Sequence, residues 1–181
     1  MDELGCDPAP VSRRGRVVVV LVVLLLVAGV TADRWQRDRE LDDLLDAVVA
    51  AERLVRASQA SLASLASYQS ALLVRADVPP EARDSAYANL ARDAARWSPQ
   101  LEAARQDVAR SGALPWHPDI RAAREAYVRR ADTWVGVLTT LAERPDQGLS
   151  GQTEVTRTRE AAQQALQAAA GGNERLAELG N

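Results

Sequence analysis

Residues 41–73 read LDDLLDAVVAAERLVRASQASLASLASYQSALL, and this stretch decides the fold. Leu41, Leu44, Val48, Ala51, Val55, Ser58, Leu62, Leu65, Gln69 and Leu72 recur at alternating steps of three and four. Eight of these ten are apolar, the pattern of an amphipathic helix. From Val30 to Val78, forty-nine residues contain no Gly and no Pro. Asp77-Val78-Pro79-Pro80 then stops the run, because the residue before a proline is pushed out of helical conformation. One long helix over about 34–76 is expected.

Downstream, three more apolar stripes follow. A second helix is expected over about 80–111, with Tyr87, Leu90, Ala94, Trp97, Leu101, Ala104 and Val108 on one side. Ser98-Pro99 implies a kink, or a stop and restart, within it. A third, over about 118–144, carries Ile120, Tyr127, Ala131, Trp134, Leu138 and Leu141. Pro145 to Gly151 reads as a loop. The fourth, over about 153–170, carries Val155, Ala162, Leu166 and Ala169, and Gly171-Gly172 closes it. Asn173 to Leu179 adds a turn or two. Four amphipathic helices with short links predict an all-α fold, an antiparallel up-down-up-down four-helix bundle over 34–181. The charged stretch Asp33 to Asp43 reads as a stalk below it.

Upstream lies VVVVLVVLLLVAGVTA, residues 17–32, with Arg13, Arg14 and Arg16 just before it. Sixteen residues give about 24 Å of helix against a hydrocarbon core of about 30 Å. Arg16 and Arg34 can snorkel, and Trp35 stands where an interfacial aromatic belt lies. The rival is a signal peptide cleaved after Ala32, which would leave a secreted bundle. The apolar run reaches or exceeds the usual signal-peptide core of about 7–15 residues, which favours an uncleaved anchor. The expected organisation is a short cytoplasmic tail at 1–12, a single transmembrane signal-anchor helix at 13–33 and an extracytoplasmic bundle at 34–181. Flanking arginines are balanced, but those on the N-side abut the apolar run, and long C-terminal domains translocate largely regardless of charge. The protein is thus expected in the plasma membrane, single-pass, with its N-terminus cytoplasmic.

Composition narrows the chemistry. Twenty-two basic and twenty-five acidic residues give a net charge of −3, with no electrostatic footprint for nucleic acid. Every basic residue is Arg, which suits a GC-rich bacterial genome and leaves no lysine for Schiff-base chemistry. Cys6 is the one cysteine, so the outer part has no internal disulfide and depends on packing. His117, the one histidine, lies between Trp116 and Pro118 and reads as a loop residue with no special role. No HExxH motif, GxSxG elbow or phosphate-binding glycine loop occurs.

The remaining candidates have plain readings. Asp42 and Asp46, with Glu40 and Asp43, read as a solvated face and not an acid–base pair. Ser58, Ser61, Ser64, Ser67 and Ser70 step by about 300° and spiral around the helix. Ala60/Ser64 and Ala63/Ser67 would let a neighbouring helix approach closely. Trp97, Trp134, Tyr87 and Tyr127 read as bulky core residues, and Trp116 as a cap on one end of the bundle or a contact surface.

No motif names a family. The expected architecture is shared by bacterial chemoreceptor sensor domains, which return through the membrane by a second span, whereas this chain has one apolar run. The expected function is therefore a non-enzymatic, protein-interaction or structural module of the cell envelope, with no catalytic, cofactor or metal residues. Its expected partners are the membrane and another protein, with homodimerisation through the long helix as a further use of the stripe. The alternative is a ligand-sensing or small-molecule-binding bundle with a cavity near the aromatic layer.

Overall fold

The computed structural model describes residues 13–73, 79–147 and 151–171. Those residues are all helical, with no strand among them: α1 (Arg13–Leu73), α2 (Pro80–Arg110), α3 (Pro118–Glu143) and α4 (Gln152–Ala170), plus a 3₁₀ turn at Pro145–Gln147. The tail at 1–12 with Cys6, the end of the first helix beyond Leu73, and Gly172 to Leu179 lie outside the described residues. The chain divides into two compact units, Met1–Arg39 and Glu40–Asn181.

In the first unit, α1 carries the apolar run. From Val18 to Val27 every side chain is 50–72% exposed, so nothing among the described residues covers these valines and leucines. By length and composition this helix is apolar enough to cross a membrane. Thr31 returns its hydroxyl proton to the backbone, to Val27 O and Ala28 O at 3.0 Å each, which removes a polar group from an apolar surface. The Arg39 guanidinium lies 5.7 Å from the Trp35 ring, a cation–π contact.

The second unit has two adjoining apolar clusters. In one, Leu41, Leu44, Leu45 and Val48 of α1 meet Val108 of α2, Ile120 and Tyr127 of α3, and Leu166 of α4. In the other, Val55 and Leu62 of α1 meet Leu90 and Leu101 of α2 and Trp134, Leu138 and Leu141 of α3. The α1 stripe is buried as its spacing requires, from Leu41 through Leu62, and Leu65 is half-buried. Each fully buried Leu contributes about 1.5–3 kcal/mol of apolar transfer.

Proline and glycine set the boundaries. Pro80 and Pro118 each open a helix, where a missing N–H costs nothing, and Glu81 and Asp119 follow in the first turns. Gly151 (φ +85°) and Gly171 (φ +55°) bracket α4 in the left-handed conformation that favours glycine.

Three details differ from the sequence reading. Helix α2 runs unbroken from Pro80 to Arg110 with Pro99 inside it, so Ser98-Pro99 is no stop and restart. The packing of Leu90, Ala94 and Leu101 on both sides of Pro99 compensates for the hydrogen bond the ring removes. The charged stretch to Asp43 is not all stalk, because Glu40 and Leu41 are already buried. Ala60, Ala63, Ser64 and Ser67 are exposed, so no helix among the described residues uses those small pairs for a close approach.

Leu44→Ala and Leu138→Ala, at two fully buried sites, are each expected to lower stability by about 2–5 kcal/mol. Gln164→Arg, on the exposed side of α4, is expected to change it by less than about 0.5 kcal/mol. Urea denaturation followed by circular dichroism checks both.

Candidate functional site

Helix α3 meets α1 at three buried polar contacts. Glu40 Oε2 lies 2.9 Å from His117 Nδ1, a pair separated by 77 residues in sequence. Arg130 Nη2 donates to Glu52 Oε2 at 2.7 Å, across 78 residues. Trp134 Nε1 donates to Ser58 Oγ at 2.9 Å, across 76 residues. The three sequence separations differ by no more than two residues.

Each contact answers a burial cost. Glu40 Oε2 also accepts the Leu114 N–H at 3.1 Å, so it ties the connection before α3 to α1. It sits beside the start of α3, where the helix dipole favours an anion. Ser58 is fully buried; its hydroxyl donates to Val55 O at 2.8 Å and accepts from the Trp134 indole. Every polar capacity it has is used locally, as a buried hydroxyl requires.

Glu52 and Arg130 form the costliest contact, with side chains only 11% and 9% exposed. Burial pushes the Glu52 carboxyl above its ordinary range, while Arg130, Arg56 and Arg159 pull it back. Burial likewise lowers the Arg130 guanidinium, against the pull of Glu52. Tyr127, beside the pair, is pushed up to about 12 by burial first and by the Glu52 charge second. Arg130 Nη1 is buried with no hydrogen-bond partner among the described residues. These groups hold one another, and the arrangement is a structural clamp.

A cavity of about 270 Å³ opens just beyond the Ser58–Trp134 contact. Leu62 and Ala63 of α1, Trp134 and Val137 of α3, and Val155 of α4 form its apolar wall. Gln59, Gln152 and Thr156 supply its polar groups, and none of the eight lining residues is charged. A larger surface groove, about 540 Å³, runs between α3 and α4 beside Arg129, Asp132, Glu154 and Arg157. There Arg157 pairs with Glu154 at 2.7 Å, and Asp132 lies 3.4 Å from Arg105, so its charges are answered by neighbours.

Of the residues singled out from sequence, the structure brings together Glu40 with His117 and Ser58 with Trp134. His117 is not an unoccupied loop residue: it is 3% exposed and precedes α3 as its N-cap, with its ring on Glu40. The sequence held no local sign of this, because Glu40 is 77 residues away. Asp42, Asp43 and Asp46 are exposed as expected, but Glu40 is 8% exposed and belongs to the core. Tyr127 and Trp134 are buried, and Tyr87 and Trp97 half-buried. Trp116 is 61% exposed, with its ring edge-on to His117 at a centroid distance of 6.3 Å. Among the described residues, no group of three or more His, Cys, Asp or Glu could hold a metal ion. Sequence reasoning missed Glu52, Ser58 and Arg130 as polar members of the core. The visible hint is that Ser58 lies on the apolar stripe of α1.

Arg130→Met alone is expected to destabilise the protein by about 3–5 kcal/mol, because it leaves Glu52 buried and unpaired. Adding Glu52→Leu should recover most of that loss in a double-mutant cycle. The pH dependence follows from the raised Glu52 carboxyl: its folded form holds a proton more tightly than the unfolded chain. Stability from this group is present below the unfolded value of 4.5 and is lost as pH rises through the higher folded value. Above pH 4.5 the stability difference should therefore move in favour of the Glu52→Leu/Arg130→Met variant, as read by denaturation at several pH values. The chain matches no protein-family model, no curated protein and no solved structure.

Proposed function

We propose that this protein is a membrane-tethered helical module of the bacterial cell envelope, non-enzymatic, which presents its second unit to a protein partner. The observation that carries the reading is the contrast along α1. Its residues from Val18 to Val27 are apolar and exposed, whereas Leu41, Leu44 and Val48 are buried. Exposed apolar side chains in such number favour hydrocarbon over water by about 0.8 kcal/mol per CH₂ removed from it. The apolar run is the anchor, the arginines before it stay in the cytoplasm, and residues 34–181 lie outside the plasma membrane.

An up-down-up-down bundle is supported by the contacts between helices. The constant separations of 77, 78 and 76 residues favour α1 and α3 running in one direction. Between α2 and α3 the contacts run the other way: Arg105 reaches Asp132, while Ser111 O, just past the end of α2, accepts from Arg124, earlier in α3. Antiparallel α2 and α3 give that order.

The anchor has a direct test. The protein is expected to stay in the membrane pellet after alkaline extraction, with the residues before Asp33 still attached. A mature chain beginning at Asp33 would replace the anchor by a cleaved signal. In spheroplasts, external protease should digest the C-terminal unit; complete protection would reverse the orientation. A photocrosslinking residue in place of the exposed Trp116 should give one saturable protein adduct in native membranes, and a diffuse ladder would count against a specific partner.

A further inference from the structure

The cavity beside Trp134 has the make-up of a binding site. It lies between α1, α3 and α4, and its volume is about 270 Å³. An apolar cavity of about 150 Å³ already accepts benzene, so this one has room for a ring and a short substituent. Its deep side is fixed. Leu62 is fully buried, and Trp134 is 6% exposed with its indole N–H committed to Ser58. Trp134 therefore offers an apolar ring held in one orientation, and its N–H is already used.

The other side is polar but uncharged. Gln59 is half-buried, and Gln152 and Thr156 are exposed. The Thr156 hydroxyl donates to Gln152 O at 3.0 Å, which leaves its oxygen as an acceptor. Gln59 and Gln152 each carry donors and an acceptor. Helix α4 starts here, at Gly151, without a side-chain cap, so backbone donors are also at this end. Gly151 contributes to the shape as well: a Cβ built on it would lie 3.8 Å from Val137 Cγ2, one of the wall residues.

Charge selects the ligand class. None of the described lining residues is an Arg, Asp or Glu that could pair with an ion, and against the buried Leu62 and Trp134 side of the pocket an unpaired ion is costly. A wholly apolar ligand would leave the glutamines unused. From the fixed indole face, the volume and the uncharged polar edge, we infer that this cavity binds a small neutral amphiphile, an aromatic ring bearing a hydroxyl or amide. Such a site makes the anchored bundle a receptor for small molecules, a role separate from any protein contact.

The test uses the full chain in lipid nanodiscs and 4-fluorobenzyl alcohol, read by ¹⁹F NMR. Ala63→Leu fills the cavity from an exposed helix position, and Val155→Phe fills it from the opposite wall. Partition of each probe into lipid is measured on empty nanodiscs and subtracted, so that only binding to the chain is compared. Saturable binding is expected for the native chain, weakened at least tenfold by either filling variant that retains its native circular dichroism. 4-Fluorobenzoate, the charged counterpart, should bind at least tenfold more weakly than the alcohol. Equal isotherms for the native and filled chains would overturn the proposal, as would equal binding of alcohol and carboxylate. Loss of binding as the number of chains per disc is raised would assign the cavity to a second copy and overturn it too.

Discussion

The structure depends on one ion pair that is largely shielded from water. Glu52 and Arg130 are charged, buried and 2.7 Å apart, and each is expensive to bury without the other. Sliding α3 along α1 by one turn would separate them and would also strand Ser58 and the Trp134 indole. Apolar stripes tolerate such slips, since Leu, Val and Ala exchange partners at modest cost. Polar contacts do not, because a buried donor or acceptor without a partner costs about 1–3 kcal/mol and a charge costs more. The pairing of α1 with α3 is thus fixed by the few groups that are not hydrophobic. In a core rich in alanine and leucine, those groups supply specificity while the apolar clusters supply stability.

The same arrangement explains why the cavity sits where it does. Ser58 draws the Trp134 indole toward α1, and a small residue, Ala63, follows on the same helix. Helix α4 begins only at Gln152, so its first turn reaches the wall with Val155 and no bulkier apolar side chain. Space remains because a large aromatic ring is held by a hydrogen bond instead of being packed from every direction.

Much of the helical layout was legible in the sequence. The three-and-four spacing from Leu41 to Leu62 corresponds to the buried face of α1, and Pro80, Pro118 and Gly171 stand at helix ends. These signals are local, and local propensity is what a single sequence displays. What stayed hidden is non-local. Nothing near His117 announces Glu40, and nothing near Arg130 announces Glu52; a charged residue on a helix reads as solvated until its partner is found. Pro99 misled for the reverse reason: its local signal is strong, yet packing on both sides of it carries the helix through. The sequence suggested a cavity near the aromatic layer only as an alternative, and its lining stayed hidden, since an empty volume is a property of three helices together.

The spacing of the polar contacts also acts as a ruler. Along α1 the steps are Glu40 to Glu52 to Ser58, and along α3 they are His117 to Arg130 to Trp134. One residue inserted between Glu40 and Glu52 would turn every later side chain by about 100° and advance it by about 1.5 Å. Two of the three contacts would then miss their partners at once. Insertions of that kind are tolerable only before Glu40 or beyond Leu62. The stretch of α1 from Glu40 to Ser58 is therefore held to a fixed length by its polar partners at and within α3.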